Sequence, residues 1–142
     1  MTDNLIFLPG NTPSSKNSKV NGRFFSKTVM KWLRLYGIKG YSSRKKEVYY
    51  FARIQRLYNM EEILLPLKQS TNYPLKLGLH FVRGSKHRWD FGNACQVVFD
   101  LMTALDIIPD DDTTYLLPFP LEINGEYWSY DKDNPGVYIA VL

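Results

Sequence analysis

Cysteine is almost absent from this chain. The single one, Cys95, excludes an intramolecular disulfide and a multi-thiolate metal cluster, and fits a reducing compartment. Histidine is nearly as scarce, with only His80 and His87. No apolar stretch approaches the roughly 20 residues that span a bilayer, so no membrane contact is expected. The opening Met1-Thr2-Asp3-Asn4 has no basic residue, and the apolar run from Leu5 to Leu8 is too short for a secretory leader. A cytoplasmic location is the expectation. Acids are scarce at first and common later. Residues 1–60 hold twelve Lys or Arg against only Asp3 and Glu47, a local charge of +10, whereas the remainder carries −6.

That asymmetry bears on partners. A polyanion binds the basic part by releasing counterions. The later acids oppose phosphate unless a divalent metal bridges the two. The alternative is that the basic residues only solvate helix faces. Length and composition predict a single domain over residues 1–142: hydrophobic residues make up 44% and aromatics 15%, enough for a real core.

Residues 4–8 read as a strand stopped by Pro9-Gly10, and residues 11–22 as a polar loop. Ser26 is placed to cap a helix through Tyr36, with Val29, Trp32, Leu33 and Tyr36 on one face. A longer helix is expected over about 43–65, because Val48, Phe51, Ile54 and Leu57 recur at helical spacing; its other face would carry Arg44, Lys45, Arg53 and Arg56. Residues 74–83 alternate as a half-buried strand with Lys76, Gly78 and His80 on the polar side. An amphipathic helix follows over 93–105, with Asn93, Gln96 and Asp100 as its polar stripe. Strands near 114–117 and at 137–141 complete the pattern. Mixed strands and helices predict an α/β (α+β) fold, a single mixed β-sheet with helices packed on it.

Three adjacent acids, Asp110-Asp111-Asp112, repel one another unless solvated or neutralised. Asp90, twenty residues before Asp110, ends a strand and precedes a helix, so the chain can return and face Asp90 with the acidic turn. Oxygen donors without His or Cys favour Mg²⁺ or Mn²⁺. An N-cap aspartate and a solvated acidic turn is the alternative reading. His80 and His87 read as phosphate contacts or solvated residues rather than ligands. Cys95 reads as a packed residue. Trp32, Tyr36, Tyr49, Tyr50 and Tyr58 are candidates for base stacking, with burial the default.

The runs Asp90-Phe91-Gly92-Asn93, Phe99-Asp100-Leu101-Met102 and Ile108-Pro109-Asp110-Asp111 resemble the core signature of the RusA-like Holliday junction resolvases. That signature is Asp-x-Asp-Asn, a helix with an Asp-Ala-Leu-type step, and an Asp-Asp pair about twenty residues on. Upstream, Leu8-Pro9-Gly10, Pro13-Ser14-Ser15-Lys16-Asn17-Ser18 and Gly22-Arg23-Phe24-Phe25-Ser26-Lys27 are similar to the family's N-terminal substrate-proximal loop. The resemblance covers most of residues 5–118.

It implies a RusA-like fold and a homodimeric, metal-dependent endonuclease that cuts four-way DNA junctions in recombination or repair, often prophage-encoded. By position, Asp90 and Asp111 would ligate Mg²⁺ or Mn²⁺, with Asp110 a neighbouring catalytic acid and Asn93 fixing the turn. Lys16, Asn17, Lys19, Arg23, Lys27, Lys86 and Arg88 would contact branched DNA. The chain departs from the pattern twice. Gly92 stands where the family has its second aspartate, and Gln96 where it has a lysine. Two alternatives therefore stand: a junction-binding protein on the same scaffold without cleavage, or a phage-type accessory protein whose acidic turn meets a protein partner.

Overall fold

The computed structural model describes residues 5–14, 19–20, 24–69 and 72–142, with the side chains of 19, 20 and 24 excepted. Its centre is a mixed five-stranded sheet in the order β1 (Ile6–Pro9), β9 (Gly136–Val141), β6 (Leu75–Arg83) and β7 (Leu116–Pro120), with the short β8 (Ser129–Tyr130) also beside β6. β9 is antiparallel to both β1 and β6, while β7 and β8 run parallel to β6. A parallel pair needs a crossover. Here α3 (Phe91–Ala104) supplies it, carrying the chain from the end of β6 back to the start of β7. β7 bears Pro118 and Pro120 and is an edge strand, where a missing N–H is tolerated.

Both flanking helices expected from the sequence form, the first ending at Arg34 short of Tyr36 and the second starting at Phe91 ahead of Asn93. Ser26 Oγ accepts from Val29 N at 3.3 Å to open α1 (Lys27–Arg34), which buries Val29, Trp32 and Leu33. Tyr36 is buried just beyond it and donates its hydroxyl to the Pro9 carbonyl. α3 buries Val97, Val98, Leu101 and Met102 in the same core as Leu77, Leu79 and Phe81 of β6. Each such side chain contributes about 1.5–3 kcal/mol by leaving water.

The helix expected over 43–65 does not exist. After the short antiparallel pair β2 (Lys19–Val20) and β3 (Phe24–Phe25), the former within the segment expected as loop, β4 (Ile38–Ser42) and β5 (Glu47–Tyr50) form an antiparallel hairpin, and only α2 (Met60–Lys68) is helical in that region. The run Val48-Tyr49-Tyr50 favours a pleated strand. Ser42 Oγ accepts from Lys45 N at 3.2 Å, and Lys46 takes φ 54°, which turns the chain back. Arg44 and Lys45 therefore sit in a hairpin turn, and Arg53 and Arg56 in an irregular segment, not on one helix face.

β6 also departs from expectation. It is buried on both faces beyond Lys76, because Leu121 and Leu142 cover the side of Gly78. His80 is accordingly 2% exposed. Its Nδ1 lies 2.9 Å from the Leu121 carbonyl and its Nε2 3.0 Å from Ser129 Oγ. It is a hydrogen-bonded core histidine, neither solvated nor open to phosphate. Among the described residues no helix is long and apolar enough to cross a membrane.

Candidate functional site

The carboxyl end of β6 is where distant parts of the chain meet. The buried Arg83 donates from Nη1 to the Thr12 carbonyl at 2.6 Å, and Gly84 N donates to Asn11 Oδ1 at 2.9 Å. Burial lowers the Arg83 pKa from its usual value, yet a guanidinium stays charged in a protein. Asn93 Nδ2 reaches the Ser14 carbonyl at 3.4 Å. These three bonds pin residues 11–14 against the end of β6 and the first turn of α3. Lys16, Asn17 and Arg23, and the side chain of Lys19, lie outside the described residues. Lys27 is exposed at the start of α1; Lys86, His87 and Arg88 are exposed on the turn before Asp90.

Asp90 is exposed and is the N-cap of α3, its Oδ1 accepting from Asn93 N at 2.9 Å. A carboxylate is favoured there by the helix dipole. Gly92, inside the first turn, does not have a positive φ; a Cβ on it would meet only Asp90 Oδ1, at 3.3 Å.

At the other end, Asp106 adopts φ 58° and turns the chain, while Ile107 and Ile108 are buried and donate back to the Met102 carbonyl. The segment then doubles back along α3, so that Asp111 Oδ2 accepts from Gln96 Nε2 at 2.6 Å. The same amide donates to Asp100 Oδ1 at 2.8 Å. Asp110 Oδ1 accepts from Asp111 N at 2.7 Å, and Asp112 Oδ1 from Thr114 N at 2.8 Å. The polar stripe that opens at Asp90 thus receives Asp111 at Gln96, about 9 Å further along the axis.

Opposite the acids stands the β4–β5 turn. Ser43, Arg44 and Lys46 line an open cleft of about 300 Å³ with Thr103, Pro109, Asp110 and Asp111. Lys46 Nζ lies 3.6 Å from Asp106 Oδ1; both are well exposed, so the pair adds little stability. Tyr41, near the turn end of the hairpin, has its pKa raised by burial and by the Asp100 carboxylate. The basic hairpin turn thereby faces the acidic turn across the cleft.

No family model, curated protein or solved structure gives a significant match to this chain. Among the described residues no three His, Cys, Asp or Glu side chains gather as a metal-holding group. Asp90 and Asp111 are nonetheless oxygen donors of the kind Mg²⁺ takes, and Mg²⁺ needs only one or two carboxylates beside its waters.

Cys95 is 3% exposed. Burial, and after it the Asp90 carboxylate, push its thiol up to about 12, which makes it inert as a nucleophile. Of the stacking candidates, Trp32 and Tyr36 are core residues, whereas Tyr49, Tyr50 and Tyr58 are exposed against the default. The sequence reading missed a second aromatic group, Trp89 with Tyr127, Trp128 and Tyr130. The spacing of aromatics at 127, 128 and 130 just after Gly125 was the available signal.

Proposed function

We propose that this chain is a Mg²⁺- or Mn²⁺-dependent, structure-specific endodeoxyribonuclease of the RusA-like type. It would act on four-way junctions and other branched DNA as a cytoplasmic two-fold homodimer. The observation that carries the reading is the bond from Asn93 to Ser14. It joins the two sequence motifs that resemble the family, which lie 79 residues apart in the chain. Ser14, the last described residue before the basic run, thus lies beside the turn where Asp90 caps α3. Asp90 and Asp111 would hold the metal, which requires the acidic turn to close on ion binding the roughly 9 Å that separates them along α3. When bound, it would polarise the scissile phosphate and activate water. Lys27, Lys86 and Arg88 would contact the DNA backbone. A junction has a dyad, and paired cuts need two sites on a matching dyad; light scattering that finds only monomer with junction DNA present would defeat the homodimer.

A second reading is favoured by Gln96. Its amide spans Asp100 and Asp111, giving an uncharged donor where the resembled pattern has a lysine. On this reading the chain binds junctions without cutting them.

Incubating labelled four-way junction with the purified chain, with and without Mg²⁺ or Mn²⁺, separates the two. The nuclease reading expects symmetric nicks that vanish in Asp90→Asn and Asp111→Asn, with junction binding retained or tightened as charge facing phosphate is lost. Asparagine still caps a helix as well as aspartate does, so loss of cleavage in Asp90→Asn cannot be assigned to unfolding. Wild type that binds junctions in either metal but never cuts them leaves the binder.

A further inference from the structure

The segment between β7 and β9 has no part in the reading above. Tyr127, Trp128 and Tyr130 on it are 56%, 45% and 42% exposed. With Glu126 and Ser129 they line an open hollow of about 380 Å³. Contiguous aromatic surface of this kind is costly to leave in water and marks an interaction site.

The backbone beneath it is fixed. Ser129 and Tyr130 pair with Val82 and Arg83, and Asp131 N donates to the Arg83 carbonyl at 2.9 Å. Trp128 meets Trp89 edge to face, with centroids 5.5 Å apart, and Trp89 meets Phe81 at 5.5 Å, so the rings run from core to surface. Cations are interleaved with them. The Arg83 guanidinium lies 4.9 Å over Trp89, and Lys86 Nζ 5.0 Å over Tyr130. Rigid exposed rings with cations between them are how proteins hold unpaired nucleotides: the rings take the base faces and the cations the phosphates.

We propose that Trp128 and Tyr130 form a stacking platform for an unpaired DNA base splayed out at a branch point, with Lys86 on its flanking phosphate. The proposal rests on the branched-DNA reading and adds to it the element that senses the branch. Paired arms keep their bases stacked on one another, so the interruption of helical stacking at the branch is what supplies a free base face. Glu126 repels phosphate from its side of the hollow, which leaves the Lys86 side for the backbone. Trp89 directly precedes Asp90, so the platform abuts the turn that carries the capping carboxylate.

The test titrates the full chain into four-way junctions carrying 2-aminopurine at the branch, and into matched linear duplex. Wild type is expected to change the 2-aminopurine emission. Trp128→Ala is expected to lose that change and roughly tenfold to a hundredfold in junction affinity, with duplex affinity unmoved. Trp128→Phe should keep both, and Tyr130→Ala repeats the test if Trp128→Ala fails to fold by circular dichroism. Junction binding with unchanged emission in wild type, and full affinity in both alanine variants, overturns the platform while branched-DNA binding stands. Wild type that prefers duplex or shows no preference overturns both. A shift from dimer to monomer in Trp128→Ala, with unchanged affinity per subunit, assigns the patch to a second copy and overturns the platform.

Discussion

Gln96 Nε2 lies 2.6 Å from Asp111 Oδ2, a side-chain bond that closes a fifteen-residue excursion of the chain. It fastens the acidic turn to the polar stripe of α3, and the second hydrogen of the same amide serves Asp100 at 2.8 Å. One neutral group thus holds two carboxylates in place.

Gln96→Ala removes that shared donor and leaves Asp100 and Asp111 to repel each other. The expected loss is about 0.5–1.5 kcal/mol in metal-free buffer, since the side chain is exposed. Mg²⁺ should stabilise this variant more than it stabilises wild type. Gln96→Lys should recover the stability without metal and, on the nuclease reading, raise the cleavage rate. Thermal melts with and without Mg²⁺ measure the first part; identical melting of Gln96→Ala and wild type in both buffers would show the bridge to be inert.

Gly92→Asp tests the metal assignment from the other side. The backbone there is free of positive φ, and the new Cβ would stand 3.3 Å from Asp90 Oδ1. The added carboxylate therefore lands beside Asp90, where like charge is unfavourable unless a cation is present. The variant should lose stability without metal, regain it on adding Mg²⁺, and bind the ion more tightly than wild type by calorimetry. A variant that is destabilised and indifferent to Mg²⁺ would remove Asp90 from the metal site.

Cys95 makes a prediction about alkaline pH. Its thiol is pushed up to about 12 in the folded chain, against an ordinary 9.0. An acid whose folded pKa is raised contributes its full stability below the unfolded pKa and loses it as pH climbs towards the folded one. The window is therefore pH 9 to 12, with a slope of up to about 1.4 kcal/mol per pH unit from this group. Tyr36 and Tyr41, both raised chiefly by burial, add in the same direction at higher pH. Folded protein at pH 8 should resist a thiol reagent that labels it at once in denaturant. Cys95→Ala should melt with a shallower pH dependence above 9; rapid labelling of the native chain would contradict the burial argument.

How much of this was legible beforehand depends on the range of the interactions involved. α1 and α3 were readable because cap and periodicity are local, and Ser26 and Asp90 both act within three residues. The 43–65 region misled because Val48, Phe51, Ile54 and Leu57 match a helical period, while the hairpin depends on pairing with residues 38–42 and on a left-handed Lys46. Neither leaves a local mark. His80 was misplaced for a similar reason: the cover over β6 comes from Leu121 and Ser129, 41 and 49 residues away. At the site, the acids themselves were conspicuous, but the Gln96 bridge and the facing basic hairpin depend on how the chain doubles back.

The prolines of β7 have a consequence for how copies of this chain can meet. Leu75 N donates to the Tyr115 carbonyl and Leu121 N to the Leu79 carbonyl, so the odd-numbered positions of β7 face β6. Positions 118 and 120 then point outward, at the rim where an incoming strand would look for donors, and both are proline. That rim is sealed against extension. Growth of the sheet by another chain, in a dimer or in an aggregate, is steered to the opposite rim at β1, where Ile6 and Phe7 sit on a strand that among the described residues pairs only with β9.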